Sequence, residues 1–147
     1  GASGFGEGMA RRFAEEGAKI VVADLNAKGA ERVAGEIGNG AIWTQTDVSQ
    51  RAEFDEMKDA ALKAFGRIDI VVNNAGFTHR NGDMLKVDES TFDLITAINM
   101  KAIYFATLAV APIMKKGGPH QRTDKRASRA RQAARGRRQL SDESGSE

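Results

Sequence analysis

The sequence predicts an α/β fold, with a parallel sheet and helices on both of its faces. Apolar residues at helical spacing alternate along the chain with short β-branched runs, and glycines punctuate the joins. That alternation implies βαβ units and parallel strands. The right-handed crossover rule then distributes the helices over both faces. The 147 residues, 41% of them apolar, are enough for one domain with a core.

Residues 7–16 read as a helix with Met9, Ala10, Phe13 and Ala14 on one face, and Gly17 ends it. Residues 19–24 (KIVVAD) have the β-branched content of a buried parallel strand. Residues 26–37 read as a helix, with Val33 and Ile37 one turn apart and Gly38 as its stop. Residues 41–46 (AIWTQT) form a second strand. Residues 49–65 form a helix with Phe54, Met57, Ala61, Leu62 and Phe65 on one side. Residues 68–72 (IDIVV) predict a third strand, which runs into Asn73-Asn74-Ala75-Gly76. A polar loop, 78–83, leads to a long helix over 89–116, capped by Asp88 and bent or frayed by Pro112.

Composition narrows the chemistry. With no cysteine, a disulfide scaffold, a cysteine zinc site and a thiol nucleophile are excluded. The two histidines lie 41 positions apart and make no metal-ligand cluster. No cationic segment is followed by an apolar one, so no signal peptide is expected. The most apolar stretch, 102–114, is shorter than the roughly 20 residues of a membrane span. The expected setting is therefore cytoplasmic, with no membrane association.

The net charge of +2 hides an asymmetry. Residues 1–118 carry 14 basic and 16 acidic side chains, whereas residues 119–147 carry 8 and 4. Two regions follow: a domain over 1–118 and an Arg-rich tail over 119–147. Leu140 is the one large aliphatic residue in the tail, which cannot offset its ordering entropy and is expected to be disordered. The tail begins abruptly where an apolar strand is due, as an out-of-frame reading of GC-rich coding DNA would. Non-enzymatic binding of nucleic acid or another polyanion through it is the alternative function. No aromatic residue interleaves the arginines, so base stacking is not offered and a solvated tail is favoured.

The turn Gly4-Phe5-Gly6 precedes the first helix. Small residues there let the backbone approach a pyrophosphate, which the helix N-terminus attracts. A flexible chain end reads equally well from this turn alone. Asp24 lies at the end of the next strand, 20 residues beyond Gly4, where an acidic side chain can accept from adenosine ribose hydroxyls. Its charge would repel a 2′-phosphate, which favours NAD over NADP. The competing role for Asp24 is N-cap of the following helix.

In order, GASGFGEG, VVADLN, TDVS, NNAG and INMK resemble the short-chain dehydrogenase/reductase family over about residues 1–118. The resemblance implies a doubly wound, Rossmann-like sheet that binds a nicotinamide cofactor. It places Ser3, Gly4, Phe5 and Gly6 at the phosphates, and Asp47 and Val48 at the adenine. Asn74, with Ala75 and Gly76, would pack under the cofactor and steady the sheet. Asn99 would distort its helix and hold a water of the proton relay. Asp47 also reads as a helix cap, 73–76 as an Asn-closed turn, and Asn99 as a polar residue on a solvated face. His79 and Arg80 would lie beside the nicotinamide pocket, although a solvated loop is the simpler reading.

The family reaction, hydride transfer between nicotinamide and an alcohol or carbonyl, also needs a Ser and a Tyr-x-x-x-Lys. The single tyrosine, Tyr104, is followed four positions later by Leu108, and Ser128 lacks apolar flanks. The expectation is a catalytically incomplete oxidoreductase with a partial sheet lacking its first strand. That strand would lie centrally, so the first and third strands present here must pair directly or leave open edges. By the same resemblance, the apolar helix over 89–116 would pair with another subunit, making a homo-oligomer.

Overall fold

The computed structural model describes residues 1–79 and 82–117. The predicted tail over 119–147, and Arg80, lie outside the described residues. In chain order the elements are α1 (Gly4–Glu15), β1 (Val21–Asp24), α2 (Ala27–Ile37), β2 (Ile42–Gln45), α3 (Arg51–Phe65), α4 (Glu89–Thr96) and α5 (Ala102–Gly117). A short 3₁₀ turn (Met84–Lys86) precedes α4, and a wide π turn (Ala97–Lys101) joins α4 to α5.

β1 and β2 pair in parallel, with Val21 opposite Ile42 and Asp24 opposite Gln45. Both strands are shorter than the sequence predicts, at four residues each. Helix α2 crosses between them and buries Ala30, Val33 and Ala34 against Ile20 and Val22. Ala10 and Ala14 of α1 pack on the same cluster. Asn26 caps α2 by accepting from the Gly29 N–H at 3.1 Å, and Gly38 ends it at a positive φ of 62°. A second cluster joins Phe54 of α3 to Ala106, Ala109 and Val110 of α5, with Ile68 and Val71 packed beside it.

The predicted third strand does not form. Residues 68–72 pair with no strand among the described residues. Ile70 is 65% and Val72 46% exposed. A strand exists only by pairing, and β1 is hydrogen-bonded on one edge to β2. Between the other edge of β1 and residues 68–72 lies a cleft of about 610 Å³ instead of a strand. The two facing edges stay open rather than pairing directly.

α1 starts three residues earlier than predicted, because the glycine turn itself enters the helix: Glu7 N–H already donates to the Ser3 carbonyl at 3.2 Å. Asp88 caps α4 through the Thr91 N–H at 2.7 Å, as expected. The predicted single long helix is divided by the π turn, and it runs on past Pro112 to Gly117. By length and composition alone, the stretch Glu89–Met114 could cross a membrane. In this fold its small residues Ala106 and Ala109 are buried against α3.

Candidate dinucleotide site

Of the sequence-predicted residues, Gly6, Val48, Asn74, Ala75 and Asn99 line one cleft, while Asp24 ends β1 and Asp47 follows β2. Ser3 is the N-cap of α1 in extended conformation, with no side-chain cap bond. Gly4 takes a positive φ of 54°, the left-handed region in which a side chain is strained. Gly6 is buried, and a Cβ there would lie 2.8 Å from Asn74 Nδ2 and 3.2 Å from Gly1 Cα. Phe5 is 88% exposed. The first-turn amides of α1 have no intrahelical acceptors, as at any helix N-terminus.

Asp24 is tied to that turn. Its Oδ2 accepts from the Gly1 nitrogen at 2.7 Å and the Ala2 N–H at 2.8 Å, and its Oδ1 accepts from the Asn26 N–H at 2.9 Å. Partial burial raises the carboxyl pKa, but these hydrogen bonds outweigh it and hold the group below its ordinary value. A carboxylate offers about four acceptor positions, so one on Oδ1 is left for a ligand. Asp24 is not the N-cap of α2; Asn26 holds that place, because its oxygen reaches the Gly29 N–H.

Asp47 and Val48 follow β2. Asp47 Oδ1 accepts from the Ser49 N–H at 2.9 Å, and Glu53 Oε2 accepts from the Asp47 N–H at 2.7 Å. Gln50, not Asp47, stands at the N-cap position of α3, because Asp47 turns the chain three residues earlier. Val48 lines the cleft with Gly6, Asn74, Ala75 and Asn99. Gly76 faces Asn99, with a Cβ there 3.5 Å from Asn99 Oδ1.

Asn99 sits inside the π turn, half-buried rather than on a solvated face. Its Oδ1 accepts from the Phe77 N–H at 3.0 Å and its Nδ2 donates to the Phe77 carbonyl at 2.7 Å. The amide thus imitates a strand partner and fixes the end of the 73–77 segment. Tyr104, the single tyrosine, is largely exposed on α5 and stacks obliquely on Phe105, with ring centroids 6.0 Å apart. Among the described residues, no group of three or more His, Asp or Glu could hold a metal.

Sequence reading missed the ion-pair network beside this turn. Arg32 of α2 reaches Glu7 of α1 at 3.0 Å and the Ala2 carbonyl at 3.2 Å. The one-turn spacings Glu7–Arg11 and Arg32–Glu36 are visible in the chain, but their pairing between helices is not.

A turn of small residues at a helix N-terminus, joined to an acidic strand end, is a dinucleotide-site geometry. Residues 1–126 match the family model described as enoyl-(acyl carrier protein) reductase. The chain belongs to the short-chain dehydrogenase/reductase family. It is 44% identical over 121 residues to 4-formylbenzenesulfonate dehydrogenase of Comamonas testosteroni, covering 80% of this chain and 48% of that protein. The crystal structure of a 3-ketoacyl-(acyl-carrier-protein) reductase from Brucella melitensis, complexed with NADH, is 46% identical and superposes with a TM-score of 0.76. That match covers 78% of this chain and 48% of the reductase. A metagenomic short-chain oxidoreductase in complex with NADP is 30% identical, with a TM-score of 0.72 over 77% of this chain and 52% of that one. The chain thus spans about half the length of these short-chain dehydrogenase/reductase relatives.

Proposed function

We propose that this chain is the dinucleotide-gripping part of an NAD-dependent oxidoreductase of alcohols or carbonyls. The observation that carries the reading is the Gly6–Asn74 approach beside a tethered Asp24. A Cβ at position 6 would press on Asn74 and the Gly1 backbone, so the glycine-rich turn lies this close to residues 73–76 only because glycine stands there. When bound, nicotinamide supplies the hydride acceptor or donor.

The chain's own residues do the holding. Amides of Ser3, Gly4, Phe5 and Gly6 receive the diphosphate at the positive end of α1. Asp24 takes a ribose hydroxyl on its remaining lone pair and disfavours a 2′-phosphate by charge, giving preference for NAD. Asp47 and Val48 border the adenine. Asn74, Ala75 and Gly76 support the cofactor from beneath. Asn99 is the one residue of the proton relay that the chain holds. The family's Ser and Tyr-x-x-x-Lys do not occur in these residues, so the chain by itself binds without turnover. We place the protein in the cytoplasm, off the membrane, as a homo-oligomer through the helix over 89–116. Its substrate is a small alcohol or carbonyl.

The test is a fluorescence titration with NADH and NADPH. Saturable binding of NADH, tighter than of NADPH and weakened by Asp24→Ala, is expected. No saturable change with either, or tighter NADPH binding, removes the reading or its NAD preference respectively. Alcohol oxidation by the chain alone at ordinary enzyme rates would overturn the absence of turnover.

A further inference from the structure

Ala2, in the middle of the glycine-rich turn, is held on three sides. Its N–H donates to Asp24 Oδ2 at 2.8 Å, and its carbonyl accepts from Arg32 Nη2 at 3.2 Å. Its methyl group packs on α2 where position 29 is glycine; a Cβ there would stand 2.9 Å from Ala2 Cβ. The same Arg32 guanidinium donates from Nη2 to Glu7 Oε2 at 3.0 Å and from Nη1 to Glu36 Oε2 at 3.0 Å. Arg11 closes the ring, reaching Glu7 Oε1 at 2.6 Å and also pairing with Glu36. One side chain in α2 therefore ties together the turn and the first turn of α1.

Glu7 would otherwise place a bare negative charge in the first turn of α1, beside the unpaired amides there. Hydrogen bonds from Arg32 first, then Arg11, lower its pKa from 4.5 to about 2, and at neutral pH two cations meet its charge.

We propose that Arg32 is a positioning residue for the dinucleotide, fixing the glycine-rich turn through the Ala2 carbonyl and offsetting Glu7. The proposal rests on the dinucleotide reading above for its ligand, but not for its geometry. A planar fork meets three acceptors on separate elements at once; lysine, a point donor, keeps the charge without the fork.

The experiment uses the 147-residue chain, comparing wild type with Arg32→Met and Arg32→Lys in two measurements. In amide hydrogen exchange without ligand, Arg32→Met is expected to speed exchange of the hydrogen-bonded amides of Ala2 and Glu7 by about tenfold, leaving α3 unchanged, with Arg32→Lys between. In NADH titration, Arg32→Met is expected to weaken binding about tenfold, and Arg32→Lys to recover part of the loss. Adding Glu7→Gln to Arg32→Met should restore part of the affinity by removing the charge that Arg11 alone then offsets. Unchanged exchange at Ala2 and Glu7 overturns the clamp, as does exchange that rises equally in α3. NADH binding by Arg32→Met equal to that of wild type overturns the positioning role. If wild type does not bind NADH, the dinucleotide reading falls by itself, and the exchange data alone decide whether Arg32 holds the turn.

Discussion

Gly4 and Gly6 share one turn but resist substitution for different reasons. A methyl group at Gly4 meets open space, so Gly4→Ala suffers only from its positive φ. It is expected to lose about 1 kcal/mol in urea unfolding. A methyl group at Gly6 meets Asn74 Nδ2 and the Gly1 backbone, so Gly6→Ala must also displace neighbours. It is expected to lose about 1–3 kcal/mol and to weaken NADH binding more than Gly4→Ala does. The carboxylates of this region set an acid dependence. Glu7 titrates at about 2 in the folded chain against an ordinary 4.5, and Asp24 is also lowered. Depressed values stabilise the fold above the ordinary carboxylate range and lose that contribution as pH falls towards 2. Unfolding midpoints measured from pH 5 down to pH 2 should therefore fall, and Glu7→Gln should flatten part of the slope (the pH limits are approximate). A slope unaltered in Glu7→Gln would mean that the network contributes nothing to stability. Residue identity alone exposed Gly4, Gly6 and Asp24 as candidates, because their chemistry is local; the Arg32–Glu7 contact spans 25 positions and needed the fold.

At the scale of elements, α2 illustrates what patterning can specify. Asn26, Val33, Ile37 and Gly38 marked its ends and its buried face, and the helix observed has those ends and that face. Val33 is fully buried between α2 and β1, so Val33→Ala should lose about 2 kcal/mol in urea unfolding through transfer and cavity terms. The 68–72 run shows the opposite case. Its β-branched residues fit a strand, yet a strand needs a hydrogen-bonding neighbour that no local pattern guarantees. Within the π turn between α4 and α5, the Asn99 side chain bonds both backbone groups of Phe77, 22 positions away. Asn99→Ala should speed amide exchange at Phe77 about tenfold while leaving α2 unchanged. Equal exchange in both proteins would mean that the 73–77 segment is held by packing alone.

At the scale of the whole molecule, two apolar clusters flank an open cleft, and large side chains remain outside them. Phe92, Leu94, Met100, Ile103 and Leu108 on the α4–α5 stretch are all substantially exposed. A surface of that kind favours association. Sedimentation velocity over a concentration series should show a reversible oligomer, and Leu108→Glu with Ile103→Glu should shift it towards monomer. A concentration-independent monomer would rule out assembly through this helix. The sequence by itself determined the α/β class, the glycine turn, the acidic strand end, the Asp88 cap and the Gly38 stop, since each rests on neighbours within a turn or on a repeating period. Only the tertiary structure decided that residues 68–72 stay unpaired, that Asp24 is tethered to the glycine turn, and that Arg32 reaches across to Ala2. Those outcomes depend on which distant backbone and side-chain groups come within hydrogen-bonding reach, and spacing along the chain does not encode that distance.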